Sequence, residues 1–341
     1  MTRYTRTHET QSDYLTRAHK LLERYRAAND LDISKSDIDV VAFTSWLISI
    51  KPTYKVSSWR TMRQSVRTLL EAWPIDGADN AIAMLDADIA ECIANPREPD
   101  DDSDDRTSAL KEKKMPHGDL TKLLVYLTHF SRSSWSQTAV HWLNAGLSTG
   151  LRPSEWKTAK MVKSGDQVLL IVKNGKNTNG RANGPFRTLD ISDFTPEGLK
   201  SVEYMAAHGA LWNVEGRYAG VQSSVSQLIY HVCERIFDGR IYCLYSLRHQ
   251  FVANMKSLKE LKEIAALLGH CVTATSTQHY GKRRDAWAEE HIVDIPDARE
   301  SETETVRENA KYFERILDEA INENRRAEEP ENMAEYLAAL F

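Results

Sequence analysis

The chain has 341 residues, 41% of them hydrophobic and 27% charged, which fits folded globular domains and excludes a disordered or collagen-like chain. No apolar run approaches the roughly 18 residues of a membrane span, and the first residues, MTRYTRTHETQSDY, lack the apolar core of a signal peptide, so a cytoplasmic protein with no membrane partner is expected. The net charge of -5 hides a block structure: residues 1–95 carry -1, 96–105 carry -5, 106–292 carry +9 and 293–341 carry -8. A basic block between acidic segments is the footprint of polyanion binding.

The four cysteines, Cys92, Cys233, Cys243 and Cys271, form no C-x-x-C pair, so they are expected to be free thiols in a reducing compartment rather than a zinc knuckle or a redox motif. In chain order, Tyr14, Leu15, Ala18, Leu21, Leu22 and Tyr25 recur at helical spacing and predict a helix over 11–28. Ser36 is a candidate N-cap for a second helix over about 38–50. Trp59, Met62, Val66, Leu69, Leu70 and Trp73 mark a third over about 57–73, and a weaker fourth covers about 79–94. On the third helix Arg60, Arg63 and Arg67 form a row that can track DNA phosphates, or simply a solvated face.

The segment 95–108, NPREPDDDSDDRTS, is proline-interrupted and acidic and reads as a linker. Four divisions follow: a helical domain over 1–95, an acidic linker over 96–115, a basic domain over 116–292 and an acidic helical tail over 293–341. The basic domain is mainly α with a small antiparallel β-sheet. Helices are predicted at about 118–130, 136–147, 196–207, 222–237, 246–256 and 259–268, and strands at 167–174 and 186–192, joined by a long Gly- and Asn-rich hairpin tip. His141 and Trp142 read as core. In the tail, Val306, Ala310, Phe313, Ile316, Leu317 and Ile321 predict one amphipathic helix and Ala334, Leu337, Leu340 and Phe341 a short last one.

Three pieces carry chemistry. GLSTGLRPSEW (146–156) presents Arg152 just after a helix, with Glu155 three residues on; YSLRHQFVANM (245–255) puts Arg248 and His249 on a helix; LKEIAALLGHCVTATSTQHYGKRR (261–284) ends a helix at Gly269, follows it with His270 and brings Tyr280 ten residues later, with Lys282, Arg283 and Arg284 behind it. Each is ordinary alone. In this order and spacing, with lysines on a β-hairpin, they resemble the tyrosine site-specific recombinase (phage integrase) family over residues 116–285, and the helical domain plus linker fits the family's layout.

That resemblance implies a helical core-DNA-binding domain followed by a tyrosine-recombinase catalytic domain. It implies cleavage and rejoining of double-stranded DNA through a covalent 3′-phosphotyrosine, with neither metal nor cofactor. Tyr280 is the implied nucleophile. Arg152 and Arg248 would grip the phosphate with forked hydrogen bonds. Lys173, or its rival Lys176, would protonate the leaving 5′ oxygen. His270 would bond the phosphate or help deprotonate Tyr280, and Glu155 would orient or pack without doing chemistry. Tyr245 stands where the family usually has histidine, as a phosphate contact that cannot serve as an imidazole base. His249, about 100° around the helix from Arg248, reads as structural. The interval from His270 to Tyr280 is one residue longer than usual. Lys176, Arg181 and Lys282 are further candidate DNA contacts.

The family layout further implies a C-shaped clamp, a homo-tetramer acting on two DNA sites, an accessory DNA-bending or directionality protein, and a nucleoid-associated location. A separate arm-site domain is not expected. A topoisomerase or telomere resolvase of the same chemistry, or a DNA-binding regulator that has lost catalysis, are the alternatives. The acidic tail is expected to dock on a neighbouring protomer, to screen the basic block until DNA arrives, or to stay solvated.

Overall fold

The computed structural model describes residues 8–31, 38–54, 56–73, 75–87, 111–175, 182–275 and 280–308, which fall into two compact units divided between Ser103 and Asp104. The first unit contains α1 (His8–Ala28), α2 (Val40–Ser49), α3 (Val56–Ala72) and α4 (Ala78–Ala87). The stripes read from the sequence are what it buries: Ala18, Leu22 and Tyr25 of α1 meet Phe43 and Leu47 of α2 and Trp59, Val66 and Leu70 of α3. Tyr25 packs edge-on against Phe43 with ring centroids 5.5 Å apart, a geometry that aligns a ring edge with a neighbouring π face. Ser36 lies outside the described residues, and of the described residues one caps α2. That residue is Asp39, its carboxylate accepting from the Val41 and Ala42 amides at 2.9 and 3.1 Å, because the helix begins at Val40 and the capping oxygen must come from the residue before it. The predicted fourth helix is described only to Ala87.

The second unit is mainly α with one small antiparallel sheet. Its helices are α5 (His117–His129), α6 (Ser136–Thr149), α7 (Pro196–Val214), α8 (Tyr218–Ile236), α9 (Leu244–Leu258), α10 (Leu261–Leu267) and the short α11 (Glu300–Glu304). The strands β1 (Lys160–Ser164), β2 (Gln167–Lys173), β3 (Phe186–Asp190) and β4 (Asp297–Ala298) lie in that order, each antiparallel to its neighbour. β1 escapes the sequence reading because its lysines break the apolar signal. The turn Gly165–Asp166 nonetheless joins Ser164 to Gln167 in a two-residue hairpin, with Gly165 at φ +59°. Leu170 and Val172 of β2 and Leu189 of β3 enter a core shared with Trp142 and Leu143 of α6 and Leu247, Phe251 and Val252 of α9. His141 is buried too, its Nδ1 3.2 Å from the Ser201 hydroxyl.

Residues 297–308, read in the sequence as part of an acidic tail, build onto this unit. β4 pairs Ala298 with Leu189, and Val306 is buried against Ala265 and Ala266. Val306 therefore does not begin an amphipathic helix. The Arg307 amide donates to the Cys271 carbonyl at 3.0 Å, which holds residues 306–308 extended. The rest of the two predicted tail helices, most of the linker and the hairpin tip at 176–181 lie outside the described residues. Cys233 and Cys243 are free thiols, and Cys92 lies outside the described residues. No helix among the described residues is long and apolar enough to cross a membrane.

Candidate active site

Two chain reversals and one helix converge in the second unit. α6 ends at Gly150, whose left-handed backbone (φ +63°) stops the helix and turns the chain so that Arg152 follows at once. A Cβ at Gly150 would fall 2.3 Å from Phe251 Cδ1, so glycine is required both by conformation and by the close approach of α9. α10 ends in the same way at Gly269 (φ +68°), and His270 follows. Between them α9 carries Tyr245, Arg248 and His249, and its start is fixed by reciprocal contacts between Cys243 and Ser246.

Glu155 is the anchor. It is 2% exposed, and its carboxylate accepts from the Arg152 amide at 2.7 Å, from Arg152 Nη1 at 2.6 Å and from Arg187 Nη2 at 2.8 Å, while Arg248 Nη1 stands 3.8 Å away. Burial alone would favour the neutral acid, but Arg187, Arg248 and Arg152 together hold the carboxyl well below the usual carboxylate range. A lone buried charge of this kind is costly, so the cluster persists only because each member is paired and hydrogen-bonded.

Arg248 is fully buried. Its Nη1 donates to the Gly150 carbonyl at 2.6 Å and its Nη2 to the Leu268 carbonyl at 3.0 Å, tying the ends of α6 and α10 together. Its Nε donates to the Tyr280 phenol oxygen at 3.2 Å. His270 Nε2 faces Arg248 Nη2 at 3.2 Å and Arg152 Nη2 at 3.5 Å, so this nitrogen serves as acceptor and the proton belongs on Nδ1. Burial, followed by Arg248, Arg152 and Arg187, drives the His270 pKa far below the usual imidazole value and keeps the ring neutral. His249 is pushed down to about 4, by burial first and then by Lys113 and Arg248, and its ring packs between those of Tyr245 and Tyr280 at 5.5 and 5.3 Å.

Tyr280 completes the group, with its hydroxyl 3.3 Å from that of Tyr245. Burial opposes its ionisation. The charge of Arg248, the Tyr245 hydrogen bond, the charge of Arg152 and the Arg248 hydrogen bond act the other way, and the phenol settles at about 8. Tyr245 itself is raised, by burial and by its bond to Tyr280. Of these two phenols, Tyr280 is therefore the one poised to lose a proton near neutral pH.

Arg152, Tyr245, Arg248, His270 and Tyr280 thus meet in one cluster. Lys173 closes β2 with an exposed side chain, and Lys282 is exposed two residues beyond Tyr280. Lys176 and Arg181 lie outside the described residues. In the first unit Arg60 is exposed and Arg63 half-buried, but Arg67 is paired with Glu71 and Asp86. Of this three-arginine row, only Arg67 is tied to carboxylates in this way among the described residues. A basic row that the sequence reading passed over stands on α1: Arg17, Lys20 and Arg24 line a groove of about 600 Å³ with Tyr54, Ser58 and Thr61. Their spacing of three and four was the available signal. Arg187 and Asn174 were also passed over. The strand Phe-Arg-Thr-Leu-Asp is mixed in polarity, so nothing local marked Arg187. Among the described residues no cluster of three or more histidines, cysteines or carboxylates could hold a metal ion.

No family model matches the chain, and no curated relative matches it. Among solved structures it is similar to XerH site-specific recombinase bound to a palindromic difH substrate (13% identity, 83% of this chain and 77% of that one, TM-score 0.43). It is also similar to the Tn1549 transposon integrase in complex with transposon right-end DNA (12%, 84% and 92%, TM-score 0.44). A third likeness is to a lambda integrase dimer bound to a COC' core site (14%, 83% and 92%, TM-score 0.42).

Proposed function

We propose that this chain is a site-specific DNA recombinase that cuts and rejoins duplex DNA through a covalent 3′-phosphotyrosine on Tyr280. The observation that carries this reading is the Tyr280 phenol oxygen, hydrogen-bonded by a buried arginine and held at about 8. The phenolate oxygen forms a bond to phosphorus and the bond from phosphorus to the 5′ oxygen breaks. The electron pair goes to that oxygen, which takes a proton from a hairpin lysine, Lys173 or Lys176. The phenol proton passes to solvent, so the histidine that Tyr245 replaces is not needed as a base. The arginine charges do by electrostatics what a base would do by proton abstraction. Arg152 and Arg248 grip the nonbridging oxygens. The buried Arg152 Nε, which has no hydrogen-bond partner among the described residues, is a donor suited to an anionic oxygen. His270 supports the grip by accepting from both guanidiniums.

The basic groove of α1 and α3, with Arg60, Arg63 and Lys282, supplies phosphate contacts. Rejoining needs no energy source because the phosphotyrosyl ester conserves the phosphodiester energy. Four protomers on two sites would exchange strands, with an accessory DNA-bending or directionality protein setting direction. The test is to incubate the protein with two duplexes bearing its own flanking DNA and to look for recombinant strands. Strand exchange that disappears in Tyr280→Phe supports the reading. Relaxation of supercoiled plasmid without exchange favours a topoisomerase, and tight binding with neither reaction favours a non-catalytic DNA-binding protein.

A further inference from the structure

Asn174 and Arg187 do not touch the phenol cluster, yet they are built into it from behind. Asn174 follows Lys173 and is 4% exposed. Its amide nitrogen donates to the Asn183 and Gly184 carbonyls at 3.1 and 2.9 Å, and its backbone N–H to the Pro185 carbonyl at 2.8 Å, which closes the base of the hairpin loop. Its amide oxygen accepts from Arg187 Nη1 at 2.6 Å. The orientation of the amide is fixed by these partners, since a flipped amide would set a donor against the guanidinium. Arg187, 1% exposed, spends its other nitrogens on Glu155 Oε2 at 2.8 Å and the Leu267 carbonyl at 2.8 Å. The next residue of the hairpin, Gly175, donates its N–H to Glu155 Oε1 at 3.4 Å. A Cβ at Gly269 would lie 2.1 Å from Asn174 Oδ1, so the turn that presents His270 closes directly on this amide.

The root of the hairpin is therefore bolted to the carboxylate that holds Arg152 and to the turn that holds His270. A sheet of this size does not need a buried arginine to stay paired, and burying one is costly. We propose that Asn174 and Arg187 are positioning residues that fix the hairpin lysine against the grip of Arg152 and Arg248, so that its ammonium meets the leaving 5′ oxygen. This rests on the reading of Tyr280 as nucleophile and of a hairpin lysine as acid. Misplacing a donor by about 1 Å is enough to cost on the order of 100-fold in rate.

The test compares two DNA substrates, one with an ordinary scissile phosphodiester and one whose bridging 5′ oxygen is replaced by sulfur. The sulfur leaves as a thiolate and needs no proton, so the work of the acid and of whatever positions it becomes dispensable. Cleavage is followed in the wild type, in Asn174→Ala, in Asn174→Asp (which keeps the acceptor for Arg187 and loses both donors), in Arg187→Lys and in Lys173→Ala and Lys176→Ala. Asn174→Ala, Asn174→Asp and Arg187→Lys are expected to cleave the oxygen substrate on the order of 100-fold more slowly than the wild type and the sulfur substrate within about threefold of it, as is the variant of the lysine that serves as acid. Equal losses on both substrates in the Asn174 and Arg187 variants would overturn the proposal and leave the network a support of the fold alone, as would rescue of neither lysine variant. If the wild type cleaves neither substrate, it is the reading of Tyr280 that fails.

Discussion

At Tyr280 two opposed effects act on one proton. Burial holds it on, while Arg248, the Tyr245 hydrogen bond and Arg152 pull it off, for a net value of about 8. The rate of DNA cleavage under single-turnover conditions should therefore rise with pH up to about 8 and then level. Tyr245→Phe removes one of the effects that lower the phenol and leaves its burial. Its profile should move to higher pH, with cleavage near neutrality falling roughly two- to tenfold, the range of one hydrogen bond. An unmoved profile with lower rates at every pH would mean that Tyr245 contributes only packing or a phosphate contact. Tyr280, Arg248, Arg152, His270 and Tyr245 were legible in the sequence because they sit in local motifs with fixed spacing. Arg187 and Asn174 were not, because what makes them matter is a long-range pairing, from β3 to Glu155 and from the hairpin root to the turn at Gly269, and no local pattern records it.

Elements end here where chemistry begins, so their stop signals should be sensitive. Gly150→Ala would force a left-handed residue and drive a methyl into Phe251. The two effects together cost about 3 kcal/mol, enough to lower the melting temperature of a unit this size by roughly 10 °C. The variant should also lose cleavage, since the Gly150 carbonyl is the acceptor that seats Arg248 Nη1. On α1, Arg17→Ala and Lys20→Ala should each reduce the slope of log affinity against log salt by about 1, the effect of one phosphate contact, while Arg67→Ala, already paired to Glu71 and Asp86, should leave the slope unchanged. The helices were readable because their apolar stripes repeat every three to four residues over three or more turns. β1 was hidden by its lysines, and β4 is two residues paired only through tertiary contact.

For the whole molecule, the buried neutral histidines set the acid limit of stability. His249, at about 4, and His270, lower still, are both depressed from 6.5. The unfolded chain therefore binds protons near pH 6.5 that the folded chain refuses, so their contribution is fully present above 6.5 and is lost as pH falls through the window toward 4 and below. Glu155, also depressed, adds a loss of the same sign at lower pH. Melting temperature should fall by several degrees between pH 7 and pH 5 and stay nearly flat just above 7. His249→Gln should flatten the acid slope, and an unchanged slope in that variant would exclude His249 as a source.

The central claim, that Tyr280 is the nucleophile, is met most directly by trapping protein on its own flanking DNA with denaturant, digesting both, and locating the nucleotide-bearing peptide by mass spectrometry. The predicted result is a 3′-phosphonucleotide on the Tyr280 oxygen, absent from Tyr280→Phe and undiminished in quantity when the trap includes a metal chelator. A nucleotide on Tyr245, whose hydroxyl stands only 3.3 Å away, or an adduct that survives in Tyr280→Phe, would contradict it.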